Sequence, residues 1–263
     1  MLSGKLLIQN LKMPNMGEGS KYINLLSKDV KSKKSFFSKY IKLNLLKKVC
    51  KSNTLANFQL EEIIKKHLKP KNKSLKILDI GTGLCNFYPN NVKNSNNKYY
   101  DCDLSSEMKD ILMKRGIIFI EADISIDKLN LNDNSFDLII CSHLIEHLDS
   151  SVNLLEEIER LLKISGIAFI KTPDIKFVKW NFFNDYTHRK PYTKSSLIQQ
   201  IESESLKILN CYSTTLYKDF SIKLIKGNPF NPINLIFYIV GLFTYYFRKD
   251  MREIICISKK IKN

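Results

Sequence analysis

The chain has 263 residues, 42 of them Lys or Arg and 26 Asp or Glu, for a formal net charge of +16. With 44% apolar and 26% charged residues it can bury a core, which excludes a disordered or collagen-like chain. Its length suits one large α/β domain with appendages. The charge is local: residues 1–76 hold 18 basic and 4 acidic residues, and the rest is nearly neutral. Of the basic residues 37 are Lys and only 5 are Arg. Phosphate and groove readers lean on the bidentate Arg fork, so nucleic acid is not the expected partner. The first 17 residues lack the unbroken apolar run of a secretory signal, so export is not expected. The cysteines at 50, 85, 102, 141, 211 and 256 form no CxxC pair and read as free thiols of a reducing compartment.

Residues 1–54 are expected to form a basic, mainly helical arm, and 55–263 a single domain. A helix over about 55–68 stops before Pro70. Short apolar runs then alternate with amphipathic stretches. Strands are expected at 75–80, 98–103, 117–121, 136–142 and 167–171. Between them lie a helix at about 106–115, ended by Gly116, and one at 152–163, closed by the Ser165-Gly166 turn. A helix capped by Thr193 follows, then a sixth strand at 206–213 and a last one at 253–258. This alternation implies a mostly parallel, doubly wound sheet.

The first strand ends in Asp79-Ile80-Gly81-Thr82-Gly83-Leu84-Cys85. In such a sheet ligands bind beyond the carboxyl ends of the strands, where glycines admit close backbone approach. A dinucleotide fingerprint would need a third glycine at position 86, which is Asn86, and no phosphate-binding GxxxxGK[ST] loop is present. Asp103 ends the second strand in Asp101-Cys102-Asp103-Leu104-Ser105, where a carboxylate can accept from ribose hydroxyls. Asp123 follows the third strand in Ala122-Asp123-Ile124, and Cys141-Ser142 closes the fourth. Glu146-His147 and Arg160-Leu161-Leu162-Lys163 come next, before Gly166.

Taken in this order, from about residue 55 onward, the chain resembles the class I S-adenosylmethionine-dependent methyltransferases. The resemblance implies a Rossmann-like α/β sheet of seven strands in the order 3-2-1-4-5-7-6, the last antiparallel. It implies S-adenosylmethionine as cofactor, with Asp79, Gly81 and Gly83 bordering its methionine part. Asp103 with Leu104 would hold the ribose, Asp123 with Ile124 would flank the adenine, and Cys141 and Ser142 would line the fourth strand's end. Two departures stand out: Cys85 replaces the third glycine of the family's GxGxG pattern, and Pro89 and many Asn interrupt the next helix. They leave a catalytically silent relative as a competing reading. A nucleic-acid methyltransferase is a third, weakened because no Asn/Asp-Pro-Pro-aromatic motif follows the fourth strand.

Methyl transfer mainly requires alignment of acceptor and methyl group, and a base only where the acceptor must lose a proton. Candidate catalytic groups are Glu146, His147 and His188, with His143 beside them. His143-Leu-Ile-Glu146-His147 also spells HxxEH, a zinc-peptidase pattern, but it directly follows a buried strand and lacks a further glutamate ligand. No metal is therefore expected. Asp185-Tyr186-Thr187-His188 resembles a motif of bacterial methyltransferases of glycan pathways, which makes a small-molecule or glycan acceptor the expectation. His188 would act there as base or acceptor ligand, and Arg189 or Lys190 would meet a phosphate or carboxylate.

Residues 228–249 form an apolar insertion between the last two strands. Its roughly fifteen apolar positions fall short of the about 20 that span a bilayer. A helix packed on the domain or resting on a membrane interface is expected. Together with the Lys-rich arm this suggests a cytoplasmic protein in peripheral contact with the anionic inner membrane face.

Overall fold

The computed structural model describes residues 59, 61–68, 74–82, 96–106, 109–215, 218–219, 222, 228, 230–247 and 252–261. The basic arm, Gly83, Cys85 and the helix expected after them lie outside the described residues. Seven strands form one sheet: β1 (Lys76–Ile80), β2 (Lys98–Asp103), β3 (Ile118–Glu121), β4 (Phe136–Ser142), β5 (Leu162–Pro173), β6 (Leu206–Thr214) and β7 (Glu253–Lys260). Their order is β3-β2-β1-β4-β5-β7-β6, with β7 antiparallel to both of its neighbours, as the resemblance implies. The described helices are α1 (Lys109–Lys114), α2 (Val152–Leu161), α3 (Ile175–Val178), α4 (Lys194–Glu202) and α5 (Pro232–Phe247). A π-type turn, Ile64–Leu68, precedes β1.

The central strands are largely apolar because both of their faces are buried, with Asp79 and Asp137 as the acidic exceptions in β1 and β4. Leu78 and Ile80 of β1, with Ile139 and Cys141 of β4, join one core beneath α2 and α4. Ile77, Leu138, Ile140 and Phe169 face the other way, into a second core with Ile63 and Leu112. Helix α2 turns Leu154, Leu155, Ile158 and Leu161 to the sheet, the 3.6-residue stripe of an amphipathic helix. Helix α4 starts at Thr193, whose hydroxyl accepts from the Ser196 N–H while the Ser196 hydroxyl accepts from the Thr193 N–H.

Strand β5 differs from the expected 167–171 segment. The preceding helix stops at Leu161, and Leu162 already pairs with Phe136. The pairing then shifts between Phe136 and Leu138, so the Ser165-Gly166 turn is a kink inside the strand. Ser165 takes φ +71° there. A Cβ on Gly166 would stand 2.8 Å from the Lys163 carbonyl oxygen and 3.0 Å from that of Phe136. Only glycine lets the two backbones come this close.

The topology gathers the chain's functional candidates on one edge. The parallel strands β3, β2, β1, β4 and β5 all end there. Antiparallel β7 starts there, with Glu253 in register with both Pro173 and Thr214. The described cysteines, Cys102, Cys141, Cys211 and Cys256, carry free thiols. Gly166→Ala is expected to cost about 1–3 kcal/mol through displaced backbone, read as a lower urea midpoint with an unchanged slope.

Candidate functional site

The turn after β1 is shaped by contact from above as well as by its own backbone. Gly81 adopts φ +72°, and its N–H bonds the Cys102 carbonyl at 2.8 Å. A Cβ there would lie 2.9 Å from the Leu144 side chain, which enters from the segment after β4. Beneath this turn Asp79 of β1 stands in register with Asp101 of β2. Both carboxyls are buried, and neither Asp79 oxygen has a hydrogen-bond partner among the described residues. Burial, with Asp101 and Asp103 nearby, pushes Asp79 well above the usual carboxylate range. Burial likewise pushes Asp101 up to about 7, with the Thr82 hydroxyl pulling it down and Asp103 adding to the rise.

The other cofactor candidates lie along the same edge. Asp103 accepts from the Ser105 N–H, and Leu104 beside it is exposed. Asp123 accepts from the N–H and hydroxyl of Ser125, fixing the turn after β3. Ile124 points into the core, as does the Cys141 thiol, so these two positions offer only backbone to the edge. Ser142 is half-buried at the end of β4. Gly83 is outside the described residues.

Beyond β4 the chain reverses through His143 at φ +55° into a 3-10 turn, Ile145–His147. The His143 ring bridges two carboxylates: Nδ1 lies 3.1 Å from Glu146 Oε1, and Nε2 lies 2.9 Å from Glu253 Oε1. Burial alone would lower its pKa, yet these two partners raise it to about 9. Burial works against the Glu253 charge as well, but Lys171, at 3.1 Å, and His143 hold that carboxyl down at about 2. His143 is therefore an imidazolium clamp with both nitrogens engaged. Glu146 has no exposed surface, and its second oxygen accepts from the Thr172 hydroxyl at 2.9 Å. Its carbonyl receives the N–H groups of Arg189 and Lys190. The sequence puts Glu146 among the reacting groups, whereas its contacts make it the post on which the 185–190 loop hangs.

That loop brings two imidazoles together, with ring centroids of His147 and His188 4.8 Å apart. The Thr187 hydroxyl donates to Asp185 Oδ1 at 2.6 Å, so it must accept from His147 Nδ1, 2.8 Å away. His188 Nδ1 lies 2.6 Å from the Phe182 carbonyl, which can only accept. In their neutral forms both rings therefore carry the lone pair on Nε2. Burial depresses the His147 pKa, Glu146 opposes the shift, and His188 adds to it. Glu146, His147 and His188 each place one ligand atom within 4.8 Å of the others, a spacing that would admit a metal ion. Asp185 and Thr187, which the sequence places in the motif without a role of their own, fix the His147 tautomer. The Asx-type turn of Asp185-Tyr-Thr, with Thr two residues after Asp, is the local signal for them.

Residues 78–170, the stretch from β1 to β5, match the family model described as a methyltransferase domain. Residues 78–170 are thus similar to a methyltransferase domain, and the match covers about a third of the chain. An uncharacterized protein of Methanocaldococcus jannaschii is 33% identical over 147 residues, 55% of this chain and 60% of that protein. The chain thus aligns with less than two thirds of that relative. Among solved structures, the [4+2]-cyclase SpnF is similar with TM-score 0.56 and 14% identity, over 79% of this chain and 81% of its own. A SAM-dependent methyltransferase from Archaeoglobus fulgidus is similar with TM-score 0.51 and 18% identity, over 78% of this chain and 94% of its own. These two likenesses concern the fold.

The cofactor that the sequence resemblance implies for a methyltransferase domain is S-adenosylmethionine. It brings an ammonium and a sulfonium, and the described residues fit it. Asp79 has buried oxygens without partners, which suit a cation. Asp103 sits where the second strand ends, and Gly81 keeps the turn close to the backbone of β2.

Two pH experiments follow. The His143 pKa is raised from 6.5 to about 9. Its contribution to stability is complete below about pH 6.5 and lost as pH rises through about 9. Urea midpoints measured from pH 6 to 10 should therefore fall on the alkaline side, and His143→Gln should flatten that limb. Cofactor binding favours ionised Asp79 and Asp101, so S-adenosylmethionine should bind more tightly as pH rises through about 7. Calorimetry in buffers of different ionisation enthalpy checks the accompanying proton release. A pH-independent affinity would refute it.

Proposed function

We infer that the protein transfers a methyl group from S-adenosylmethionine to an oxygen or nitrogen of a small molecule or glycan intermediate. The observation that carries this reading is the His147–His188 pair, whose tautomers are set by Thr187 and the Phe182 carbonyl. When bound, the cofactor supplies an electrophilic methyl on a sulfonium. The chain's part is to orient the acceptor and remove its proton. An acceptor hydroxyl lined up against that methyl gives its proton to His188 Nε2 as the new bond forms. Asp185 Oδ2, 3.9 Å from that nitrogen, favours the resulting imidazolium. His147, held neutral by burial, accepts a hydrogen bond at its own Nε2 or relays the proton.

The remaining charges at the edge suit such a division of labour. His143, Glu146 and Glu253 are committed to one another, which keeps them out of proton exchange with the acceptor. Arg189 is exposed, and Lys190 reaches Gln200 at 3.1 Å; both stand close enough to the loop to meet an anionic group of the acceptor. The glycan character of the acceptor is supported by the resemblance of the Asp185-Tyr-Thr-His188 motif alone.

His188→Ala is expected to lower kcat by about a hundredfold or more while the Kd for S-adenosylmethionine stays near that of the wild type. Single-turnover assays over a panel of hydroxylated and amino acceptors, with calorimetry alongside, check both halves. Full activity of the variant with an acceptor the wild type methylates would remove His188 as the base.

A further inference from the structure

The 3-10 turn Lys179–Asn184 carries Trp180, 84% exposed, and Phe183, also exposed, with their rings 6.1 Å apart. Helix α5 exposes Ile236, Ile239, Phe243 and Phe247, spaced three and four residues apart along a single stripe. Helix α3, which runs directly into that turn, is linked to α5 through Arg252. The Arg252 guanidinium lies 3.9 Å from the Phe177 ring of α3 and 3.8 Å from the Tyr245 ring of α5, and it donates to the Tyr245 carbonyl. Large apolar groups exposed this fully, and together, mark a contact surface.

The charges around these groups indicate the partner. In sequence, residues 218–252 contain Lys218, Lys223, Lys226, Arg248, Lys249 and Arg252 against Asp219 and Asp250. On the neighbouring loop Lys176, Lys179 and Arg189 are exposed, while Asp174 is buried capping α3 and Asp185 is bound to Thr187. An apolar, aromatic stripe whose sequence flanks are net basic is the pattern of a helix that lies in a lipid headgroup layer. Helix α5 has 16 residues, about 24 Å at the usual helical rise. No helix among the described residues is long and apolar enough to cross a membrane.

We propose that α5 and the 179–184 turn form a docking face for an anionic lipid surface. The face borders the His188 loop, since the Phe182 ring that packs on His188 belongs to the same turn as Trp180. Docking therefore turns the mouth of the site toward the headgroups, and the acceptor is one carried by, or partitioned into, that surface. This deepens the methyl-transfer reading by naming the partner, but the docking itself is measured without turnover.

Trp180 is the single tryptophan of the chain and reports on its own burial. Full-length protein is titrated with phosphatidylcholine vesicles with and without phosphatidylglycerol, following tryptophan emission and co-sedimentation. The expected result is a blue shift and pelleting with phosphatidylglycerol vesicles only, weakened by high salt. The paired change Phe243→Ser with Phe247→Ser is expected to weaken binding about tenfold or more, with S-adenosylmethionine affinity unchanged as a folding control. No shift and no pelleting of the wild type, or a shift that persists undiminished in the paired variant, overturns the proposal. So does a wild-type dimer in sedimentation velocity that the paired variant converts to monomer, since a second copy would then cover the stripe. Failed vesicle binding with intact methyl transfer removes the docking face alone; the reverse result removes the catalytic reading alone.

Discussion

A single protonated imidazole holds the working edge of this sheet together. His143 sits at the exit of β4 in a left-handed conformation and donates to carboxylates from two other places, the turn that follows it and the start of β7. Each partner is itself tied down, Glu146 by Thr172 and Glu253 by Lys171. Removing either carboxylate would leave the half-buried imidazolium short of a counter-charge and so weaken its hold on the proton. The arrangement is a positional device. It fixes where the His147 turn begins, and through the Glu146 carbonyl it fixes the loop that carries His188.

Two electrostatic environments therefore lie side by side on one edge. On the β1–β2 side, Asp79 and Asp101 crowd two carboxyls into a buried spot, and burial holds both above the usual carboxylate range. On the β4–β7 side, opposite charges are matched and fully committed. The first environment gains from an incoming cation, whereas the second gains nothing from any ligand and so stays put while the chemistry proceeds. Gly81 lies at their border, where a side chain would collide with Leu144.

The strand order and most element bounds were legible in the sequence because buried parallel strands write themselves as short apolar runs, of which Leu138-Ile139-Ile140-Cys141 is one. Thr193 announced its helix for the same reason of local chemistry: a cap acts within three residues. The extension of β5 back to Leu162 was hidden because Lys163, Ile164 and Ser165 follow no strand alternation; only pairing with Phe136 makes them strand. His147 and His188 could be singled out by type. Their roles could not, since these depend on contacts across 40 residues, from Thr187 to His147. The clamp was the least legible part of all: Glu253 lies 110 residues from His143, and nothing in the local text of either announces the other.

Arg252 and Glu253 are consecutive at the entrance to β7, and their side chains serve different masters. Arg252 seats α5 against α3 through two aromatic rings, and Glu253 holds the imidazolium behind the histidine loop. Surface and chemistry are thus separated by one backbone step, about 3.3 Å. The anchor of α5 and the counter-charge of the histidine clamp share one strand entrance, on adjacent residues.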